Sequence, residues 1–197
     1  MRYSARNNVL GRPLAGYQAG ACIVRVRTAE ALARAHAALR AHGFGLMAFD
    51  CYRPARAVAD LVRYSERTPK PSTPYHPGLS GPELLTQGYV ARRSGHSTGL
   101  AVDVTLIHLD PQTKRLVQPA CGGPWAAQEA DMGAGFDCFG PPAGDKASLT
   151  PEQAKRRAIL RDAMTAAGFS PYAAEWWHFS LPPRDPAERQ AFDFPVR

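Results

Sequence analysis

Two short segments carry the residues that could do chemistry, and the first of them is residues 94–103. It reads Ser-Gly-His-Ser-Thr-Gly-Leu-Ala-Val-Asp and contains His96 and Asp103. His96 lies in a turn rich in Ser and Gly. Asp103 lies in a predicted strand whose flanking residues Val102 and Val104 face the core, so Asp103 points to the opposite face. The imidazole and the carboxylate could converge there, although this spacing alone is a weak signal.

The second segment, Glu175-Trp-Trp-His178, lies near the end of the chain. Catalytic zinc is typically held by three His or carboxylate ligands, and water takes the fourth position. His96, Asp103 and His178 would supply such a set. Glu175 would then be the spare carboxylate that takes a proton from the metal-bound water. The alternative for this segment alone is an aromatic core strand with a hydrogen-bonded His178.

The spacing of Glu175 and His178 restricts the local backbone. Residues three apart on a regular strand face opposite sides, whereas a helix would align them. The aromatic run Trp-Trp-His-Phe favours a strand. We therefore expect a bend at Glu175, before the strand proper.

Arg53 directly follows a predicted buried strand, in the run Asp50-Cys-Tyr-Arg-Pro. A fixed guanidinium beside zinc could stabilise the oxyanion of a tetrahedral intermediate. From the spacing alone, a structural ion pair between Arg53 and Asp50 is the favoured interpretation. A cysteine nucleophile is not predicted, because Cys51 has no adjacent His to activate it.

Apolar periodicity and capping residues predict the elements that must position these groups. Strands are predicted at 22–27, 45–49, 100–109 and 174–181. Helices are predicted at 29–42, with Thr28 as N-cap and Gly43 at the C-terminus, at 55–67, and from the capping box Thr150-Pro-Glu-Gln to Gly168. Residues 68–83 and 118–145 are predicted loops. Irregular alternation of strands and helices predicts an α+β fold, a mainly antiparallel sheet flanked by helices, in a single domain over 1–197.

Composition excludes several classes of function. The 197 residues are 45% hydrophobic and carry a formal net charge of +7. The 24 Lys and Arg residues are scattered and accompany no nucleic-acid motif, so no nucleic-acid partner is expected.

No apolar stretch approaches the roughly 18 residues needed for a membrane span, and the opening residues lack the apolar core of a signal peptide. The chain could still be a mature form from which an export signal was removed. Nothing in the sequence indicates an oligomeric state.

The four cysteines bear on the compartment. Cys121 and Cys138 bracket a Gly- and Pro-containing segment that could be a stapled loop, and Cys22 and Cys51 lie in two apolar runs that could be neighbouring strands. Two disulfides would indicate an oxidising compartment. Four buried thiols are an equally good interpretation of the pattern. We expect a periplasmic protein, with a cytoplasmic one as the alternative.

Taken together, the motifs resemble those of the D-alanyl-D-alanine dipeptidases, which include the dipeptidase of vancomycin resistance, within the zinc D,D-peptidase fold shared with hedgehog-type domains. The resemblance covers nearly the whole chain, and several motifs occur in the right order. It is carried by Tyr3, Asn8-Val-Leu-Gly, Asp50-Cys-Tyr-Arg-Pro-Ala-Arg-Ala-Val, Gly88-Tyr-Val-Ala, residues 94–106, Gly135-Phe-Asp, Glu175-Trp-Trp-His and Phe192-Asp-Phe-Pro-Val. The segment 119–129, which contains Cys121, is the least familiar part.

This resemblance implies hydrolysis of D-Ala-D-Ala to two D-alanines with one Zn²⁺ per chain. His96, Asp103 and His178 match the family's zinc ligands, and Glu175 matches its catalytic base. Arg53 matches the family's transition-state arginine, which reverses the preference for a purely structural role. The remaining matched positions line the small substrate pocket, and they are Ser94, Asp137 and Tyr3. Of these, Asp137 is suited to the free ammonium of a dipeptide.

Two other functions are open at this point. A D,D-carboxypeptidase or a peptidoglycan endopeptidase of the same fold would have an open groove instead of a closed pocket. A zinc-bearing binding module without catalysis is the alternative from another class, and Glu175 beside a full ligand set argues against it. The physiological purpose could be antibiotic resistance, cell-wall recycling or use of D-alanine as a nutrient.

Overall fold

The fold is built on an antiparallel sheet with the strand order β1-β2-β4-β3. The computed structural model describes residues 1–71, 74–113 and 118–197. Within these residues the strands are β1 Phe44–Asp50, β2 Ala101–His108, β3 Ser170–Tyr172 and β4 Glu175–Ser180. The α-helices are α1 Val26–Arg40, α2 Ala55–Arg67, α3 Gly81–Thr86 and α4 Pro151–Ala166. The predicted α+β class with an antiparallel sheet is confirmed.

The central strand β2 is covered on both faces. Ala101 through Leu106 are all buried, so the strand does not alternate between core and solvent. β2 pairs with β1 on one side and with β4 on the other, and both pairings are antiparallel. Asp103 therefore projects from the middle of the sheet into the protein interior, not towards bulk water.

Local sequence signals account for several elements. α2 has the predicted bounds. α4 begins at the predicted capping box, in which the Thr150 hydroxyl accepts from the Gln153 N–H and the Gln153 side chain accepts from the Thr150 N–H. Gly43, after α1, has a φ of +76°, the left-handed conformation that glycine adopts readily.

The predicted strand at residues 22–27 is wrong. α1 begins at Val26, three residues before the predicted start, and residues 22–25 are irregular. This segment makes isolated hydrogen bonds, such as the one from the Tyr52 N–H to the Ile23 carbonyl, instead of a ladder. Thr28 is not the N-cap: it lies in the first turn, where its hydroxyl donates to the Gly99 carbonyl.

Two elements were not predicted. α3 begins inside the predicted loop 68–83, at a capping box formed by Ser80 and Glu83. β3 is three residues long and pairs with β4. The part of the predicted loop at 72–73 lies outside the described residues. Residues 114–117, between the end of β2 and the predicted loop 118–145, also lie outside them.

The cysteines form two disulfides, Cys22–Cys51 and Cys121–Cys138. The first joins the segment before α1 to the residue that follows β1. The second closes part of the irregular region 118–145, which is a loop as predicted apart from a short 3₁₀ helix. Among the described residues, no helix is long and apolar enough to cross a bilayer.

Candidate metal centre and active site

Three elements bring His96, Asp103 and His178 together. His96 lies in a short 3₁₀ helix, Gly95–Thr98, directly before β2. Asp103 on β2 and His178 on β4 are direct partners in the sheet register. Because paired residues on antiparallel strands place their side chains on the same face, the carboxylate and the imidazole are neighbours.

The three groups converge on one point. The Asp103 Oδ1 lies 3.0 Å from the His178 Nδ1 and 3.3 Å from the His96 Nε2. The two imidazole nitrogens are 3.2 Å apart. Zinc bonds of about 2.0–2.1 Å in a tetrahedral arrangement would separate the ligand atoms by about 3.3 Å. The spacing of the three atoms therefore fits a zinc ion with its fourth position left for another ligand.

Hydrogen bonds on the far side of each ring orient the imidazoles. The His96 Nδ1 lies 2.7 Å from the Cys51 carbonyl oxygen, which can only accept, so the ring hydrogen is on Nδ1. The Nε2 atom of His96 is therefore the ring nitrogen that faces the Asp103 carboxylate, at 3.3 Å. The His178 Nε2 lies 3.1 Å from the Ser180 hydroxyl oxygen. Such outer partners typically fix the ring orientation of metal-binding histidines.

The charge states suit a cation. Burial acts to raise the pKa of Asp103, but the neighbouring His96 and His178 outweigh it, and the pKa lies below its ordinary value. Burial lowers the pKa of His178 despite its contact with Asp103, so this imidazole is neutral at pH 7. A metal ion binds to carboxylates and neutral imidazoles, so a cation between Asp103 and His178 would be stabilised by both groups.

Glu175 lies beside this cluster. It is the first residue of β4, where the pairing with β3 is irregular: Pro171 pairs with Phe179, but the next residue, Tyr172, pairs with Glu175. This break in register lets Glu175 and His178 approach on the same side, with the Glu175 Oε2 3.9 Å from the His178 Nδ1. Burial, followed by the charges of Asp103 and Asp137, raises the pKa of Glu175 well above its ordinary value.

Arg53 takes part in both interactions considered from the sequence. Its Nε donates to the Asp50 carboxylate at 2.9 Å, and its NH2 group lies 3.4 Å from the Asp103 Oδ2. The guanidinium also stacks 4.7 Å from the centre of the Tyr3 ring. The structural ion pair with Asp50 thus holds Arg53 beside the cluster of His96, Asp103 and His178.

A cavity of about 240 Å³ adjoins the cluster. Tyr3, Arg53, Ser94, Asp137 and Glu175 all line it, together with His96, Asp103 and His178. Every site residue expected from the resemblance therefore lies on one cavity. Its volume is below the roughly 300–1,000 Å³ of pockets that take drug-sized ligands.

Asp137 is the buried acid of this cavity. Its Oδ1 accepts a hydrogen bond of 3.1 Å from the Tyr3 hydroxyl, and no hydrogen-bond partner reaches its Oδ2 within the described residues. Burial raises the pKa of Asp137 well above its ordinary value. A buried carboxylate oxygen without a donor is costly, so a donor supplied by a ligand at this oxygen would be stabilising.

Several lining residues were not predicted from the sequence, and Tyr172 is the most prominent of them. It projects from β3 and donates a 3.3 Å hydrogen bond to the carbonyl of Gly88, in the segment after α3. Its ring centre lies 5.8 Å from that of His178. No sequence signal at Tyr172 points to the site, since its position depends on the unpredicted strand β3. Tyr89 and Arg93 also line the cavity.

Comparison with known proteins identifies relatives of this chain. The family described as D-ala-D-ala dipeptidase, peptidase M15, matches residues 1–197. The D-alanyl-D-alanine dipeptidase of Streptomyces coelicolor is 36% identical over 198 residues, which cover 99% of this chain and 90% of the relative. That of Enterococcus faecium is 34% identical over 200 residues, which cover 100% and 91%. A solved structure of the vancomycin-resistance D,D-pentapeptidase VanY in complex with Zn(II) matches with a TM-score of 0.44 and 15% identity, over 84% of this chain and 76% of that one.

These full-length matches define the class of protein: the chain is an enzyme, a metallopeptidase. More narrowly, it belongs to the D-Ala-D-Ala dipeptidase family of the M15 peptidases. The resemblance drawn from the sequence motifs is thereby confirmed.

Proposed function

We propose that this chain hydrolyses D-alanyl-D-alanine to two D-alanines with one zinc ion held by His96, Asp103 and His178. The observation that carries the proposal is the three-ligand cluster beside the buried Glu175, in a small cavity. We further propose that residues 1–197 act as one catalytic domain.

The residues divide the chemistry among them. A bound zinc ion would acidify a water molecule and polarise the peptide carbonyl. Glu175 takes a proton from the attacking water and passes it to the leaving amine nitrogen, while the water oxygen enters the new carboxylate. Arg53 donates to the carbonyl oxygen as negative charge develops there. Although burial raises the pKa of Glu175, a cation in the neighbouring cluster acts in the opposite direction and favours the carboxylate.

Asp137 binds the free ammonium group of the dipeptide in this proposal. The unpartnered Oδ2 supplies the acceptor, and the Tyr3 hydroxyl holds the other oxygen in place. An ammonium ion beside Asp137 would lower the pKa of its carboxyl and favour the charged form. Ser94 lines the same cavity and supplies a hydroxyl group.

The size of the cavity favours a dipeptide over the muropeptides cut by a carboxypeptidase or an endopeptidase. A buried acceptor for a free amino terminus also disfavours substrates that continue beyond it. The two disulfides support a periplasmic location, because such bonds persist in oxidising compartments.

The test is D-alanine release by zinc-loaded protein from D-Ala-D-Ala and from a pentapeptide that ends in D-Ala-D-Ala. We expect release from the dipeptide, and a fall in kcat of at least about 10²-fold in Glu175→Gln, which keeps the side-chain volume but cannot take a proton. Cleavage of the pentapeptide alone would refute the dipeptidase assignment. Full activity of Glu175→Gln would refute the role of that residue.

A further inference from the structure

The cavity contains a cation that the chemistry above does not use. Its lining includes two arginines, Arg53 and Arg93. Arg53 is engaged by Asp50 and Asp103. Among the described residues, Arg93 makes no ion pair and no side-chain hydrogen bond. Arg93 is thus the charge in this cavity that is available to an anionic group.

Arg93 lies where the first cavity meets a second one of about 450 Å³. Both cavities are lined by Arg93 and Ser94, and the second also by Arg92 and Arg189. The described lining of this second cavity contains no acidic residue. Arg92 is engaged by Glu66, so the charges that raise the potential at the junction and favour an anion there are those of Arg93 and Arg189.

Ser94 offers a second donor at the same place. Its hydroxyl oxygen accepts from the His96 N–H at 3.3 Å, which caps the 3₁₀ helix. The hydroxyl hydrogen is given to no acceptor among the described residues, so it remains available to a ligand oxygen. Arg93 and Ser94 line both cavities, and a guanidinium and a hydroxyl that reach the same group suit a carboxylate, which can accept from both.

We propose that Arg93 and the Ser94 hydroxyl bind the carboxylate at the C-terminus of the substrate. The inference rests on the proposed function, because it gives each end of a zwitterionic dipeptide its own partner: Asp137 for the ammonium and Arg93 for the carboxylate. Arg93 is a substrate-binding residue in this assignment and takes no part in proton transfer.

The experiment compares D-Ala-D-Ala with D-Ala-D-alaninamide, which lacks the negative charge. Because Arg93 is exposed, we expect Arg93→Gln to raise KM for the acid about fivefold, the effect of a strong exposed ion pair, and to leave kcat within about twofold. The amide should show no such rise in KM. Arg93→Lys, which keeps the charge, should lie between wild type and Arg93→Gln.

Arg92→Gln is the matched control. Arg92 is the neighbouring arginine, lines the second cavity only, and is paired with Glu66 at 2.7 Å. We expect it to leave KM unchanged for both substrates. An Arg93→Gln enzyme with equal KM changes for acid and amide, or with none, would overturn the carboxylate assignment alone. Wild-type protein that releases no D-alanine from either compound would refute the proposed function and this inference with it.

Discussion

At the scale of single residues, one hydrogen bond to the backbone determines what His96 can do. The Cys51 carbonyl accepts a hydrogen bond from Nδ1, so that Nε2 is the ring nitrogen that faces Asp103 and His178. Arg53 is held in a similar way, because its ion pair with Asp50 fixes the guanidinium beside the cluster of His96, Asp103 and His178. Cys51 and Asp50 are not among the proposed metal ligands, but they fix the orientations of His96 and Arg53.

Asp137→Asn tests the ammonium site. Asp137 has a φ of +61°, and asparagine tolerates this left-handed region as well as aspartate does. The substitution removes a buried ionisable group but leaves an amide group without a partner in the same place, so the free energy of unfolding should change little. Loss of the charge should raise KM for D-Ala-D-Ala about tenfold, as expected for loss of one charge-assisted hydrogen bond.

The two readouts are steady-state kinetics and chemical denaturation of the same protein. A binding role moves KM and leaves stability intact, whereas a purely structural role lowers stability. An unchanged KM in a stable Asp137→Asn protein would contradict the ammonium assignment.

At the scale of elements, the hairpin of β3 and β4 shapes the site. The break in pairing after Pro171 turns Glu175 towards the metal cluster. The same hairpin carries Tyr172, whose hydroxyl reaches the Gly88 carbonyl on the segment that leads to Ser94 and His96. One irregular hairpin therefore positions Glu175 and connects two walls of the cavity.

Gly88→Ala should disrupt this connection. Gly88 has a φ of +83°, and an added Cβ would lie 2.9 Å from the Tyr172 hydroxyl oxygen. We expect a loss of about 1–2 kcal/mol in the free energy of unfolding, from the left-handed backbone, and a lower kcat/KM for the dipeptide because Tyr172 must move.

Gly78→Ala is the control for this substitution. Gly78 has no positive φ, and its added Cβ would meet nothing within 4 Å. It should change neither stability nor kcat/KM. The account of the hairpin is wrong if Gly88→Ala and Gly78→Ala behave alike in denaturation and in kinetics.

The sequence predicted those elements whose signals are local. α2 follows from Pro54 and its apolar spacing, and α4 from the capping box at Thr150. The strand predicted at 22–27 failed because residues 22–25 pair with no strand of the described chain, and Val26, which begins α1, is 76% exposed instead of facing a core. α3 was not predicted, because the prolines that precede it indicate a loop.

The residues of the candidate site also fall into two groups, those that local sequence patterns indicate and those that they do not. Residues with ligand chemistry, such as His96 and His178, stand out by type and by motif. Tyr172 and Arg93 have no such signal, because tertiary packing alone places them at the cavity. Their roles depend on which segments meet, and local patterns do not encode this.

At the scale of the whole molecule, the cavity forms where distant parts of the chain meet. Tyr3 is 2% exposed and contacts Asp137, which lies 134 positions further along the chain. The Cys22–Cys51 disulfide fixes the segment whose carbonyl orients His96. The site therefore requires the complete fold, and a metal held by two strands and a turn would stabilise that fold in return.

The most direct test of the central claim is the zinc content of the purified protein after dialysis, measured by mass spectrometry. We predict about one zinc per chain in the wild type and less than about a tenth of that in His178→Ala, since a catalytic zinc site has only three protein ligands. His42→Ala, which removes an exposed histidine beyond the end of α1, should keep the full zinc equivalent. A His178→Ala protein that retains a full equivalent of zinc would contradict the assignment of this metal centre.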